Sequence, residues 1–198
     1  ATGAFVDQSS YRFTSGLAAL SGQGTLRLAS PNFPTAAGNT FVDAGGGTVE
    51  YYNGTNFTLP AAQTVYNNLV INASGAIATQ LSNLTLNGYL LVRSGVFRIN
   101  DNSSTAKLSL TVVGNVTVET GASITVGNGV TNTAITGSVT GGTSPYLNYY
   151  RNFHTVIFRG DFTNNGTVRF TNLNFPTYHL FPPTVPGATS GAATVYFE

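Results

Sequence analysis

Leu84-Thr85-Leu86-Asn87-Gly88-Tyr89-Leu90-Leu91-Val92, Leu110-Thr111-Val112-Val113-Gly114-Asn115-Val116-Thr117-Val118 and Val156-Ile157-Phe158-Arg159-Gly160-Asp161-Phe162-Thr163-Asn164 follow one pattern. Apolar residues stand two and four places before each glycine, and the alternation resumes two places after it. Only Asn164, at the far end of the third copy, departs from the rule. Period-two alternation, broken at a glycine and then resumed, describes a short strand, a corner and a second short strand. The alternation predicts an interior of Leu84, Leu86, Leu90, Val92, Leu110, Val112, Val116, Val118, Val156, Phe158 and Phe162.

Further glycines open a third strand. Gly95-Val96-Phe97-Arg98-Ile99 and Gly166-Thr167-Val168-Arg169-Phe170 carry apolar residues two and four places beyond the glycine. Gly24-Thr25-Leu26-Arg27-Leu28 and Gly47-Thr48-Val49-Glu50-Tyr51 do the same, so they are expected at the same corner. Gly121-Ala122-Ser123-Ile124-Thr125-Val126 fits after one extra residue. Three strands and their corners make a coil of roughly 20–26 residues, a solenoid period. The predicted fold is all-β: a parallel β-solenoid, specifically a right-handed β-helix, the hand following from the usual crossover rule. A β-sandwich is the alternative. An up-and-down barrel explains the alternation but not the triple register, because its strands run longer between turns.

Composition agrees with an all-β chain. Of 198 residues only 8% are charged, whereas 23 are glycine and 12% are aromatic. Polarity is therefore carried by uncharged side chains suited to strands and tight turns. The net charge is +1, and the basic residues are scattered, which argues against a nucleic-acid footprint. No apolar run approaches the length of a membrane span. Zero cysteine removes disulfides, thiolate metal sites and cysteine nucleophiles together.

The whole chain, 1–198, reads as one β-helix segment with two long excursions. Residues 128–152 are rich in Gly, Thr, Asn and Tyr, and residues 174–191 carry Pro176, Pro182, Pro183 and Pro186. Proline cannot donate to a ladder, so the second stretch must leave the coil. Both ends of the chain are expected to be cuts within a longer protein. Thr194-Val195-Tyr196-Phe197 repeats Thr155-Val156-Ile157-Phe158, which places Val195 and Phe197 inward on Val156 and Phe158, and Tyr196 outward over Ile157.

Leu20-Ser21-Gly22-Gln23-Gly24-Thr25-Leu26, Ala44-Gly45-Gly46-Gly47-Thr48-Val49-Glu50-Tyr51-Tyr52-Asn53, Tyr66-Asn67-Asn68-Leu69-Val70-Ile71 and Gly160-Asp161-Phe162-Thr163-Asn164-Asn165-Gly166-Thr167-Val168 carry a resemblance. They resemble the β-helical repeats of very large bacterial surface proteins exported by the type IX secretion route, as in gliding bacteria. The resemblance covers most of the chain from about Leu20 onward. It implies a secreted, cell-surface adhesin or stalk. Its partners would be further β-helix coils of the same parent chain, the secretion or surface-anchoring machinery, and glycans.

Candidate chemistry is sparse. The acids Asp7, Asp43, Glu50, Asp101, Glu119, Asp161 and Glu198 are dispersed, with no two adjacent. Asp161 follows its glycine as Tyr89 and Asn115 follow theirs, and so reads as a turn residue. Glu119 aligns with Arg93 as a cross-coil ion pair on the exterior. His154 and His179 are too far apart for a local metal motif and read as polar surface residues. No G-x-S-x-G elbow occurs, and Gly22-Gln23-Gly24 and Gly45-Gly46-Gly47 open no helix that could cradle phosphate. No catalytic residue, metal site or cofactor is expected. The one aromatic cluster, Tyr146, Tyr149, Tyr150 and Phe153 with Arg151, is the candidate glycan contact. Its bland reading is packing of the excursion against the wall. A flat threonine face for ice is weak, because Ile157 interrupts the column of Thr85 and Thr111.

The expected function is non-enzymatic: a structural or adhesive rod. The alternative is the non-catalytic part of a polysaccharide-active β-helix. Three or more carboxylates converging on one outer face would favour the enzyme.

Overall fold

The computed structural model describes residues 4–11, 16–100, 107–127, 154–170 and 193–198. Every strand pairing among them is parallel. That excludes the sandwich, whose sheets are antiparallel, and leaves a β-solenoid of about five turns. No helix occurs among the described residues.

The coil has three faces. The first stacks β1 (Phe5–Ser9), β3 (Thr25–Leu28), β5 (Thr48–Tyr51), the start of β8 (Asn68–Gln80), the start of β10 (Leu90–Ile99), β12 (Val116–Val118) and β15 (Phe162–Asn164). The second face carries β6 (Phe57–Thr58), the ends of β8 and β10, β13 (Ser123–Val126) and β16 (Thr167–Arg169). The third stacks β7 (Val65–Tyr66), β9 (Leu84–Leu86), β11 (Ser109–Val112), β14 (His154–Phe158) and β17 (Ala193–Phe197). Near the N-terminus β2 (Leu17–Leu20) and β4 (Ala36–Asn39) form a separate parallel pair.

The register read from the glycines is the register observed. Leu84, Leu110 and Val156 stack, as do Leu86, Val112 and Phe158. Leu90, Val116 and Phe162 form the next column. All eleven expected interior residues lie in the core or pack against it, with Phe162 only partly buried. The C-terminal strand also pairs as expected, Val195 on Val156, Tyr196 on Ile157 and Phe197 on Phe158. Phe197 stacks its ring 5.6 Å from Phe158 and stays largely exposed on its outer side.

Two sequence expectations are corrected. Gly24 and Gly47 do not sit at the corner of Gly95 and Gly166. Leu26 pairs with Val49, Val49 with Leu69, and Leu69 with Leu90, so these glycines precede the first face. They belong to the corner of Gly88, Gly114 and Gly160. Both corners are followed by apolar residues at the second and fourth places, so the local pattern does not separate them. Asn67 also stands where that column would need a glycine. Its amide replaces the missing contacts, accepting from the Gly45 N–H at 3.1 Å and donating to the Gly46 carbonyl at 2.7 Å.

The second correction concerns strand length. In β8 and β10 the chain passes the second corner without leaving the ladder, so these strands run 13 and 10 residues where four or five were expected. The bend is made by irregular register around Ser94 and by Gly75 and Gly95, whose φ angles of 73° and 75° lie in the left-handed region.

The interior is a continuous apolar column that includes a tyrosine pair. Tyr51 and Tyr66, both fully buried, meet hydroxyl to hydroxyl at 3.0 Å. Burial raises the pKa of both phenols well above the ordinary value, so the pair stays neutral.

Candidate functional site

The outer surface of the first face carries the features that could act on a partner. Side chains alternate inward and outward along each strand, so Asp7, Arg27 and Glu50 fall in one outward column, in register with one another. Arg27 lies 3.5 Å from Asp7 and 3.3 Å from Glu50. The Arg27–Glu50 contact is ionic, without hydrogen-bond alignment. Arg93, in the irregular part of β10, reaches Glu50 at 3.6 Å and Glu119 at 3.9 Å. The result is a ladder of alternating sign: Asp7, Arg27, Glu50, Arg93, Glu119.

Its centre is the tightest part. The Glu50 side chain is 9% exposed and accepts a hydrogen bond from Asn72 Nδ2 at 2.8 Å. Ser94 Oγ in turn donates to Asn72 Oδ1 at 2.9 Å. At the outer end Tyr52 donates its hydroxyl to Asp7 at 2.8 Å, and the Arg27 guanidinium lies 4.1 Å from the Tyr52 ring centre. The Tyr52 and Ser9 donors, with Arg27 beside them, hold the Asp7 carboxyl below its ordinary pKa.

Three carboxylates thus share one exterior face, each directed onto an arginine. Asp7 and Glu50 both meet the Arg27 guanidinium, at 3.5 and 3.3 Å, and Glu50 and Glu119 both meet that of Arg93, at 3.6 and 3.9 Å. The two carboxyl groups of a glycosidase instead flank the scissile bond, about 5–9.5 Å apart. An arginine separates each successive pair. Among the described residues no group of three His, Asp or Glu side chains could hold a metal ion.

Beside the ladder runs a shallow open groove of about 480 Å³, lined by Asn68, Gly88, Tyr89, Leu90, Leu91, Gly114, Asn115 and Thr117. Sequence reasoning passed over it, because Tyr89 is simply an outward residue after a corner. The signal available was the column Asn68, Tyr89, Asn115, Asp161, each one place past the corner position. Asn68 Oδ1 accepts the Tyr89 N–H and Asn115 Oδ1 accepts the Asp161 N–H, both at 3.1 Å. Asp161 is accordingly an exposed turn residue held by its backbone.

The third corner carries the long connections. The segments between Phe57–Thr58 and Val65–Tyr66, Gln80 and Leu84, Ile99 and Ser109, Val126 and His154, and Arg169 and Ala193 all join the second face to the third. The two excursions expected at 128–152 and 174–191 fall in the last two of these. Their residues lie outside the described residues, as do the glycan candidates Tyr146, Tyr149, Tyr150, Arg151 and Phe153, and His179.

His154, where the longer excursion re-enters the wall, is not a surface residue as expected. It is the first residue of β14 and only 2% exposed. Its Nδ1 accepts the Leu108 N–H at 3.0 Å and its Nε2 lies 3.4 Å from the Asn100 amide. Burial lowers its pKa from the ordinary value. Asn100 is itself fully buried at φ 59°, and neighbouring Gln80 donates to the Ser82 and Ser109 carbonyls. This polar knot satisfies backbone groups that the departing chain leaves without ladder partners.

The Thr85 and Thr111 column contains Val65, Ile157 and Tyr196 as well, so no flat threonine rank forms. No protein-family model, curated protein or solved structure matches the chain.

Proposed function

We propose that this chain is a non-enzymatic structural and adhesive segment of an exported bacterial surface protein, a stiff rod that holds binding elements away from the cell. Its partners are further β-helix coils of the parent chain, the secretion or surface-anchoring machinery, and glycans. The observation that carries this reading is the gathering of the longest connections at one corner of a regular wall. Repeat proteins put insertions on one face, and that face is often where they bind. The wall suits a rod, since each coil hydrogen-bonds to its neighbours along the whole axis.

The alternative, part of a polysaccharide-active β-helix, draws on Asp7, Glu50 and Glu119 sharing one face. Their pairing with Arg27 and Arg93, which stand between them, supports a wall-bracing role. Two measurements test the proposal. Stretching the chain end to end should give stepwise release of coils at high force. Incubation with plant, algal and microbial polysaccharides should release no reducing or unsaturated ends. Release that Glu50→Gln or Asp161→Asn abolishes would replace the rod with an enzyme.

A further inference from the structure

We propose that the groove beside Tyr89 is a binding site for an uncharged oligosaccharide. The inference deepens the adhesive reading by naming a site on the wall itself and a ligand class for it. It begins with how Tyr89 is held. Its hydroxyl lies 3.3 Å from Thr48 Oγ1, although β5 and β10 are separated by the coil that contains Asn68. The phenol must therefore lie along the solenoid axis across the intervening coil. Asn68 fixes both ends of this arrangement, accepting the Tyr89 N–H and donating to Thr48 Oγ1 at 3.3 Å.

The tyrosine remains 37% exposed while so pinned. A ring immobilised before binding loses little further freedom on contact. Pinned along the wall, it offers an apolar surface of the kind that packs against the C–H face of a sugar ring.

The remaining lining supplies the polar half. Asn115 has its carbonyl oxygen committed to the Asp161 N–H, which orients its amide Nδ2 as a donor. Thr117 adds a hydroxyl that can donate or accept. Leu91 continues the apolar strip. Apart from the Tyr89 phenol, no lining residue is ionisable. An aromatic face, an amide, a hydroxyl and no formal charge match an uncharged polyhydroxy ligand. They would leave a carboxylate or phosphate without a counter-charge. The groove runs along the corner glycines Gly88 and Gly114. The volume falls within the range of small-ligand sites, and the openness of the groove suits one stretch of a longer glycan.

The test titrates the full 198-residue chain with cello-, manno- and malto-oligosaccharides, and with oligogalacturonate as the anionic counterpart. Affinity is read by calorimetry and location by amide NMR shifts. We expect one neutral series to saturate, moving the amides of Tyr89, Leu91, Asn115 and Thr117. Tyr89→Ala should weaken it about tenfold or more, a loss of roughly 1.4 kcal/mol, and Thr117→Val should weaken it severalfold. Both positions face outward, and unchanged melting temperatures will show that the wall is intact. The proposal is overturned if no neutral series binds or if oligogalacturonate binds more tightly. It is also overturned if binding survives Tyr89→Ala but is lost in a Tyr149→Ala, Tyr150→Ala double variant. That last result would leave the adhesive reading standing and move the site to the excursion. Absence of all binding would leave the stretching measurement to judge the rod separately.

Discussion

Gly114 lies directly on Gly88. A Cβ on Gly114 would stand 2.8 Å from both the carbonyl carbon and the carbonyl oxygen of Gly88, and the Gly114 N–H donates to that oxygen at 2.9 Å. Gly160 repeats the relation, its Cβ position 2.6 Å from the Gly114 carbonyl group. The first corner is thus a stack of bare backbones. Glycine is needed here for close approach, since neither Gly88, Gly114 nor Gly160 has a positive φ.

Gly114→Ala should therefore destabilise by about 1–3 kcal/mol, the usual cost of forcing a methyl into packed structure. Gly54→Ala is the control, because nothing stands within 4 Å of its Cβ position. Urea unfolding of both variants measures the difference. Equal midpoints would mean that the corner can spread at no cost.

Val116→Asp tests the interior column. Val116 is fully buried between Leu90 and Phe162, and no basic side chain belongs to that column. A carboxylate placed there must be desolvated or protonated. The expected loss is about 4 kcal/mol or more, enough to abolish cooperative unfolding in a marginal chain. A loss below about 1 kcal/mol in thermal melts would contradict the register.

The sequence disclosed the solenoid where its coils are most regular. Gly88, Gly114 and Gly160 are flanked by the same alternation, so their register could be read by simple alignment. It hid the coils on the N-terminal side for a physical reason. A corner needs little backbone bulk but not always glycine, and Asn67 meets the need with side-chain hydrogen bonds to Gly45 and Gly46. The run of corner glycines is broken there, which sent Gly24 and Gly47 to the wrong corner. His154 was misread because the excursion before it masks the strand that begins at the histidine itself. Of the ladder only the Arg93–Glu119 rung was foreseen. Asp7, Arg27 and Glu50 recur at the coil period, a signal that was present once the N-terminal register was right. Tyr89 was invisible for another reason: its position depends on Thr48, two coils away.

The buried His154 makes stability depend on pH. Its Nδ1 accepts from Leu108, which requires an unprotonated Nδ1, and burial lowers the folded-state pKa below the ordinary histidine value of about 6.5. On acidification the unfolded chain takes up this proton first. The contribution is thus flat above about pH 7 and turns against the fold as pH falls through about 6.5. The urea midpoint should drop between pH 7.5 and pH 5.5, a window above the ordinary carboxylate range. His154→Asn should flatten that slope, whatever its effect on stability at neutral pH. An unchanged slope in the variant would assign the dependence elsewhere.

The ion-pair ladder should be strong at its centre and weak at its end. Glu50 is 9% exposed and is met by Arg27, Arg93 and Asn72. Glu119 is 44% exposed and meets Arg93 at 3.9 Å. An exposed pair at that distance is screened by solvent and contributes about 0–1 kcal/mol. Glu50→Gln keeps the size of the side chain and an oxygen for Asn72, but removes the charge that two guanidinium groups share. Arg27 retains Asp7 and Arg93 retains Glu119, so neither arginine is stranded and the loss stays moderate. We expect about 1–3 kcal/mol for Glu50→Gln, the range of hydrogen bonds and contacts to a charged group. Glu119→Gln should cost less than about 1 kcal/mol. Raising the salt concentration should erase most of the Glu119→Gln effect and leave most of the Glu50→Gln effect, because buried charges are poorly screened. Equal costs for the two variants, or equal sensitivity to salt, would show that the ladder is a surface pattern without a braced centre.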